Sequence, residues 1–508
     1  MDGQVTGGVR FGSAAGRWVI GATVLGSGMA SIDATVVGIA LPTIGRQFHA
    51  PLGTLQWVVT GYTLSLAALL LLGGSLGDHF GRRRVFVVGV VWFTVASAAC
   101  AAAPGPTVLI VTRVLQGVGA ALLTPGSLAI LQASFVGEDR GRAIGSWSGL
   151  GGVATAAGPL LGGYLITAAS WRWIFLINVP VGAVVLLVSV RKVPESHDPT
   201  PGQRLDPSGA ALVTLSLAAL TFGLIEGPTR GWGSPVIVAA LAVGVVAAGA
   251  FLLVEWRSSA PMLPLALFGV RQFAVTNLVT FVVYAALGGA LFLLPVQLQV
   301  SGGYSPLESG IALLPLTVIM LVLSSRSGRL ATRIGPRLQM SVGPVVVGAG
   351  LALLARVGTD SDYVTGVLPA VLVFGLGLAV TVAPLTATAL SSVPDEHAGL
   401  ASAVNNDVAR VGALVAVAVL PALAGLTGAD YLRPAQLSSG FRTAALLSAG
   451  LCLVGGALAA VGIRNPERRP RRPPGSPPPS PTPEFFHCAL EGSPLVDSPA
   501  RAPGPAAP

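Results

Sequence analysis

Charged side chains are scarce in this sequence. Only 10% of the 508 residues are Asp, Glu, Lys or Arg, whereas 52% are hydrophobic. Soluble proteins carry about 25% charged residues, so these charges are too few to cover the surface of a soluble protein of this size. The apolar residues also come in blocks of about 20, the length a helix needs to cross a hydrocarbon core of about 30 Å. The composition predicts an integral membrane protein.

Cysteine and histidine are rare as well. The three cysteines, Cys100, Cys452 and Cys488, stand far apart, without the spacing of a disulfide framework or a zinc site. The five histidines fall in predicted loops or in the tail, and none is paired as a metal ligand or catalytic base would be. The sequence also lacks a GxxxxGK[ST] phosphate-binding loop. We therefore expect no enzyme activity, no ATP-driven transport and no cofactor.

Fourteen apolar blocks are separated by shorter polar segments. Backbone groups in lipid must satisfy one another, and no alternating strand pattern of about ten residues is present, so the blocks are predicted to be helices. The predicted spans are 18–41, 55–76, 85–103, 107–132, 143–168, 174–190, 209–226, 235–256, 273–297, 309–325, 338–357, 363–388, 400–425 and 441–462. The predicted fold class is all-α integral membrane.

The positive charges are distributed unevenly between the two sides of these spans. If the N-terminus is inside, 22 of the 30 basic residues fall on the inner side, six on the outer side and two, Arg113 and Arg410, within spans. An excess of Lys and Arg marks the cytoplasmic side. We therefore expect both termini in the cytoplasm of a plasma-membrane protein, and we assign the net charge of +9 to topology rather than to nucleic-acid binding.

The loop after the second span is similar to the loop after the tenth. Its residues Gly74, Leu76, Gly81 and Arg83 recur as Gly328, Leu330, Gly335 and Arg337. Both loops lie on the inner side, so the repeat relates two parallel halves, with the seventh and eighth spans as an insert. The predicted units are an N-terminus (1–16), a six-helix bundle (17–191), a central insert with two helices (192–272), a second six-helix bundle (273–463) and a disordered Pro/Arg-rich cytoplasmic tail (464–508).

Five segments carry distinctive residues in chain order. They are Ser31-Ile-Asp33-Ala-Thr35 continuing to Pro42, Gly74-x-Leu76-Gly77-Asp78-x-x-Gly81-Arg82-Arg83, Arg113-Val-Leu-Gln116-Gly117-x-Gly119, the fifth-span set Gly145, Gly158-Pro159 and Gly162-Gly163, and Trp171-Arg172-Trp173-Ile-Phe175-x-Ile177-Asn178-Val-Pro180. Together they resemble the motifs of the fourteen-helix drug:proton antiporters of the major facilitator superfamily. The resemblance covers about residues 15–465. It departs at Asp407, where such proteins usually have a neutral residue.

This resemblance implies a bacterial efflux pump for drugs or antibiotics. Such a pump exchanges protons for lipophilic, cationic or amphipathic compounds by alternating access, works in the inner membrane and needs no cofactor; we expect a monomer. Two alternatives stay open at this point. One is a dedicated exporter of a single metabolite, such as a self-made antibiotic or an amino acid, and the other is a non-transporting sensor with the same fold.

Four charged residues within the spans are candidates for proton coupling: Asp33, Arg113, Asp407 and Arg410. A charge in the middle of a bilayer costs about 2.5–3.5 kcal/mol on insertion scales, which favours a functional role. Asp33 is predicted to carry the proton or to balance a cationic substrate, with helix packing as the alternative. The resemblance implies that Arg113 controls proton affinity, with a structural ion pair as the alternative. Asp407 and Arg410 share a helix face, and either neutralise each other or form a second protonation or substrate site.

Three further sets of residues have predicted roles. The gating set is Gly74, Asp78, Gly81, Arg82 and Arg83, with a topology anchor as the alternative. The set implied to favour antiport is Gly145, Gly158, Pro159, Gly162 and Gly163, with ordinary small-residue packing as the alternative. The predicted substrate cavity contains Gln116, Tyr62, Tyr284, Gln299 and Asn405, although aromatic residues in membrane helices often only pack or face lipid.

Overall fold

The chain folds into long helices. The structure, a computed structural model, describes residues 9–197, 205–258, 261–359, 361–394 and 398–465. The predicted tail lies outside the described residues from 466 onward, as do the first eight residues of the predicted N-terminus. Within the described part, fourteen helices are long and apolar enough to cross a membrane. The predicted all-α membrane fold with fourteen spans is therefore confirmed.

The fourteen helices are numbered here in chain order. They are α1 Ala14–Phe48, α2 Leu52–Phe80, α3 Arg82–Ala102, α4 Pro106–Ser134, α5 Gly137–Ala168, α6 Trp173–Lys192, α7 Pro207–Arg230, α8 Pro235–Arg257, α9 Arg271–Val300, α10 Pro306–Ile334, α11 Pro336–Leu354, α12 Tyr363–Ser391, α13 Gly399–Leu423 and α14 Pro434–Gly462. Most are longer than the apolar blocks of the sequence, because the helical hydrogen bonding continues into the polar flanks.

Local sequence explains where these helices begin. Six of them start at a proline, which lacks the N–H that a first helical turn leaves without a partner. Ser13 caps α1, since its hydroxyl accepts a hydrogen bond of 3.0 Å from the N–H of Gly16. Asp206 caps α7 through the N–H of Gly209 at 2.8 Å. Burial opposes ionisation of Asp206, but hydrogen bonds from Gly209 and Ser208 outweigh it and lower its pKa.

The helices form two groups and a hairpin. α1–α6 pack on one another as one half, α9–α14 pack as the other, and α7 and α8 pack together as a hairpin. α7 lies against α2 of the first half and α13 of the second. An apolar cluster made of Leu64 and Ala68 of α2, Leu217 of α7 and Leu414 of α13 holds this contact. The hairpin therefore covers the seam where α2 and α13 meet.

Hydrogen bonds between the two halves are found at one end of the helices. We call the side on which α1 begins the near side, and the side on which it ends the far side. On the far side, Gln299 Nε2 of α9 donates to the carbonyl oxygen of Ile39 at 2.9 Å. Gln56 Nε2 of α2 donates to the carbonyl oxygen of Val417 at 2.6 Å, and the Tyr431 hydroxyl donates to that of Ala50 at 2.7 Å. These contacts close the far side.

Glycines bring neighbouring helices within backbone contact in both halves. A Cβ atom at Gly119 of α4 would lie 2.6 Å from the backbone nitrogen of Phe93 on α3. In the second half, a Cβ atom at Gly350 of α11 would lie 2.5 Å from the backbone nitrogen of Phe374 on α12. Real Cβ atoms do not approach so closely, so these two helix pairs require glycine at these positions.

Replacing Gly119 by alanine tests this packing. Because the added methyl group would meet backbone rather than a movable side chain, α3 and α4 would have to separate. Overpacking of this kind costs about 1–3 kcal/mol, so we expect a lower midpoint of thermal unfolding in detergent. The control is Gly249→Ala on α8, where the added atom meets nothing within 4 Å. Equal midpoints for the two variants would show that close packing at Gly119 is not required.

Candidate functional site

The buried charges of the first half meet in one place. Asp33 lies near the middle of α1, and Arg113 lies on α4; each has 1% of its surface exposed. Arg113 Nη1 donates to Asp33 Oδ2 in a short ion pair. Gln116, one turn further along α4, donates from Nε2 to Asp33 Oδ1 at 2.8 Å. The same Gln116 accepts a 2.7 Å hydrogen bond from Arg113 on its Oε1, so each of the three side chains contacts the other two.

Arg113 has further partners on α2 and α6. Its Nε donates to the carbonyl oxygen of Val58 at 3.1 Å. The centre of its guanidinium group lies 4.2 Å from the ring centre of Tyr62 and 5.7 Å from that of Phe175. Aromatic faces attract cations, more strongly when water is absent. Arg113 therefore keeps favourable contacts that do not depend on Asp33.

Two further polar residues complete this network: Ser97, which the sequence did not single out, and Asn178, which it gave only as part of a motif. Ser97 Oγ of α3 accepts a hydrogen bond from Gln116 Nε2 at 2.6 Å and another from Asn178 Nδ2 of α6 at 3.2 Å. Both residues are buried. In the sequence each of them is a single polar residue within an apolar span. One serine or asparagine of this kind does not by itself indicate a functional site. We call Asp33, Arg113, Gln116, Ser97 and Asn178 the charged network.

The predicted gating loop lies between α2 and α3 on the near side. Asp78 pairs with Arg82 at 2.8 Å, one helical turn away. Gly81 has a φ of 107°, a backbone conformation that favours glycine. The N–H of Arg83 donates to Glu195 Oε1 at 3.0 Å. Glu195 follows α6 and had no predicted role, because only the folded chain brings it to this loop.

The repeated loop between α10 and α11 is held in the same way. Gly335 has a φ of 87°, and the N–H of Arg337 donates to Asn465 Oδ1 at 3.1 Å. Arg337 Nε donates to the carbonyl oxygen of Ala460 at 2.8 Å. Asn465 follows α14, the last helix of its half, just as Glu195 follows α6. Each loop is therefore attached to the end of its own half.

The small residues of α5 separate into two groups. Gly158 and Gly162 contact α1, and a Cβ atom at Gly162 would lie 2.8 Å from Val36 Cγ1. Gly163 contacts α10, where a Cβ atom would lie 2.6 Å from the carbonyl oxygen of Pro306. The carbonyl oxygen of Pro159 faces Gly310 of α10. Gly145 stands apart, since nothing lies within 4 Å of its Cβ position.

Asp407 and Arg410 of α13 form no ion pair or hydrogen bond with each other in the described part of the chain. Asp407 Oδ1 and Arg410 Nε are both buried and have no hydrogen-bond partner in the described residues. Nearby, Asn405 Nδ2 donates to Thr280 Oγ1 of α9 at 2.8 Å and to Asn277 Oδ1 at 3.1 Å. Asn405 thus joins α9 to α13 within the second half.

The predicted cavity residues are spread over several regions. Gln116 and Tyr62 belong to the surroundings of Arg113. Gln299 lies in the far-side contact between the halves, and Tyr284 of α9 is partly buried against the main apolar core. The structure therefore brings Tyr62 and Gln116 to the charged network and does not join Gln299 or Asn405 to them.

Comparisons with known proteins agree on the kind of protein. Residues 23–417 match the sequence model of the Major Facilitator Superfamily. The Tetracenomycin C resistance and export protein of Streptomyces glaucescens is 38% identical over 403 residues, which cover 79% of this chain and 74% of that protein. The Puromycin resistance protein pur8 of Streptomyces alboniger is 38% identical over 405 residues, covering 79% and 80%. The Multidrug resistance protein Stp of Mycobacterium tuberculosis is 36% identical over 400 residues, covering 78% and 74%.

Solved structures share the fold at low sequence identity. A bacterial homolog of the human lysosomal transporter Spinster, in an inward-facing and unoccupied conformation, aligns with a TM-score of 0.64 and 16% identity over 89% of this chain and 97% of that chain. The peptide transporter POT in complex with sulfate aligns with a TM-score of 0.65 and 14% identity, over 89% and 96%. At these identities the likeness concerns the fold.

The ion pair of the charged network can be tested by stability measurements. Arg113→Gln leaves the Asp33 carboxylate buried without its counter-charge, and breaking a buried pair in this way costs about 3–5 kcal/mol. We expect a loss of this size in denaturant unfolding in detergent, and a smaller loss when Asp33→Asn is added. Arg230→Gln is the control, because its pair with Glu226 is half exposed and contributes about 1 kcal/mol or less. Simple additivity of Arg113→Gln and Asp33→Asn would contradict a pair.

Proposed function

The chain belongs to the major facilitator superfamily, and from this premise we propose that it exports lipophilic drugs or antibiotics across the bacterial plasma membrane in exchange for protons. The observation that carries the proposal is the buried pair of Asp33 and Arg113, which places a carboxylate among apolar helices. The names of its relatives, which include antibiotic and multidrug resistance proteins, support export of such compounds.

Asp33 supplies the proton step. In its charged form it is bound to Arg113 and Gln116. A proton on Asp33 removes the charge that holds Arg113, while the guanidinium keeps its bonds to Gln116 and Val58 and its contact with Tyr62. Protonation thus loosens α1 from α4, while Arg113 keeps its hydrogen-bonding and aromatic partners on the other helices. In this way one proton changes the packing within the first half.

The contacts between the halves support alternating access as the mechanism. The excess of positive charge supports a cytoplasmic near side. With that orientation, the far-side contacts of Gln56, Gln299 and Tyr431 close the pump toward the outside. Release outward requires these bonds to break as the halves move against each other. The seam of Gly163 with Pro306 must separate in the same movement.

A narrower alternative is the export of one compound. Two of the relatives carry the name of a single antibiotic, tetracenomycin C or puromycin, whereas a third is named a multidrug resistance protein. Growth of a sensitive host that expresses this chain, on a panel of structurally unrelated antibiotics, separates these possibilities. Raised inhibitory concentrations for several classes favour multidrug export, and a rise confined to one class favours the dedicated exporter.

The role of Asp33 is tested by uphill transport. Asp33→Asn keeps the shape of the side chain and removes its ability to take up a proton. In everted membrane vesicles with an imposed proton gradient, we expect the variant to accumulate ethidium no better than vesicles without the protein, whereas the wild type accumulates it. Glu226→Gln, on the peripheral hairpin, is the control and should transport normally. Uphill transport by Asp33→Asn with unchanged pH dependence would exclude Asp33 as the proton carrier.

The far-side contacts can be weakened without touching the charged network. Gln56→Leu together with Gln299→Leu removes three hydrogen bonds between the halves, each with a net contribution of about 1 kcal/mol. Since 1.4 kcal/mol is about a factor of ten in an equilibrium constant, the far-side-open population should rise by about one to two orders of magnitude.

Spin labels report this shift. Thr107 and Ala435 are exposed far-side positions in different halves, so labels there, in a background that lacks the three native cysteines, give the distance between the halves. We expect a longer distance to gain population in the double variant. Gln436→Leu, whose partner Arg433 lies in the same half, should leave the distribution unchanged. An unchanged distribution in the double variant would show that these bonds do not hold the far side closed.

A further inference from the structure

Asp407 and Arg410 differ from the other acid–arginine pairs of the chain. Residues three apart on a helix can form an ion pair, and Asp139 pairs with Arg142 at 3.6 Å at that spacing. Asp407 and Arg410 have the same spacing, yet within the described residues they form no ion pair or hydrogen bond with each other. The spacing of three residues permits an ion pair, so the spacing does not explain why these two side chains form none.

Each of the two side chains has one hydrogen-bonding atom without a partner, an acceptor on Asp407 and a donor on Arg410. Asp407 Oδ1 can accept and Arg410 Nε can donate, and both atoms are buried without a partner. A buried polar atom without a partner destabilises the fold by the desolvation free energy of that atom. Arg410 cannot avoid this by losing its proton. By contrast, Asp33 and Arg113 are fully bound to each other and to Gln116.

The surroundings of the pair come from both halves. Val411, next to Arg410 on α13, packs against the apolar cluster that contains Leu64 of α2. The next turn of α13 carries Leu414, which packs against Leu64 of α2. Arg410 therefore lies where the first half meets the second.

We propose that Asp407 and Arg410 form a substrate subsite for amphoteric compounds, that is, molecules with both a protonated amine and an acidic oxygen. The inference rests on the proposed export function. The amine donates to Asp407 Oδ1, and the acidic oxygen accepts from Arg410 Nε. Such a ligand satisfies both atoms and adds no net charge to a buried region, where an unpaired charge is costly. A simple cation would satisfy Asp407 and leave Arg410 Nε without a partner.

Three dyes on one xanthene ring system test this directly. A rhodamine that carries N–H groups and a free carboxylate is zwitterionic, its methyl ester is a cation, and fluorescein is an anion. Dye efflux is measured from cells that express the wild type, Asp407→Asn or Arg410→Gln, with KM and maximal rate determined separately. Glu226→Gln is the matched control, because its acid pairs with Arg230 on the hairpin.

The subsite predicts a crossed pattern. Asp407→Asn should raise KM for the zwitterion and for the ester, and leave fluorescein unaffected. Arg410→Gln should raise KM for the zwitterion and for fluorescein, and leave the ester unaffected. Loss of one charged hydrogen bond corresponds to a change of about ten- to a hundredfold. The wild type should have its lowest KM for the zwitterion, and the control should match the wild type.

Other results would overturn the subsite. Equal losses for all three dyes, with maximal rate rather than KM affected, would assign the pair to proton coupling or folding. Unchanged KM values, or no transport of any of the three dyes by the wild type, would also reject it. Failure of the export proposal is seen separately, as the absence of proton-driven ethidium accumulation by the wild type. Thermal unfolding of purified Asp407→Asn and Arg410→Gln identifies a loss that comes from misfolding, which would count against the proposal.

Discussion

The ion pair of Asp33 and Arg113 is the interaction on which the rest of the first half depends. A carboxylate and a guanidinium can both stay charged among apolar helices only when they are paired and their remaining hydrogen-bonding groups are satisfied. Gln116 and the carbonyl oxygen of Val58 supply those bonds, and Ser97 accepts a hydrogen bond from Gln116. Because the pair and these partners belong to four different helices, the helices must pack closely, and glycine at positions such as Gly119 makes that possible.

The two halves share an architecture but use it differently. Each has a glycine-containing near-side loop that binds the residues after its last helix, through Glu195 in one half and Asn465 in the other. The first half places a complete ion-pair network at its centre. The second half carries Asp407 and Arg410 on α13 without an ion pair between them. The two halves thus hold their buried charges in different ways, with the hydrogen-bonding groups paired in one and two of them unpaired in the other.

The number of helices and the charged residues could be predicted from the sequence, because the length of an apolar block and the cost of a buried charge are local properties. The repeat of Gly81 and Arg83 was visible as spacing alone. The partners of these residues could not be predicted. Glu195 is more than 100 positions from Arg83 along the chain, and its contact depends on how α6 ends.

Gln299 was expected in a substrate cavity, and the structure places it against Ile39, since the end of α9 meets α1 there. The i,i+3 spacing of Asp407 and Arg410 could not reveal that no ion pair forms.

The position of the α7–α8 hairpin makes the two lipid-facing sides of the molecule unequal. Two six-helix halves meet the bilayer along two seams, one beside α2 and α13 and the other beside α5 and α10. The apolar contact of Leu217 with Leu64 and Leu414 occupies the first seam, so lipid chains are excluded from it. The hairpin leaves the other seam, beside α5 and α10, uncovered by α7 and α8. A compound that approaches the contact between the halves sideways, from within the membrane, would therefore meet different surfaces on the two sides of the molecule.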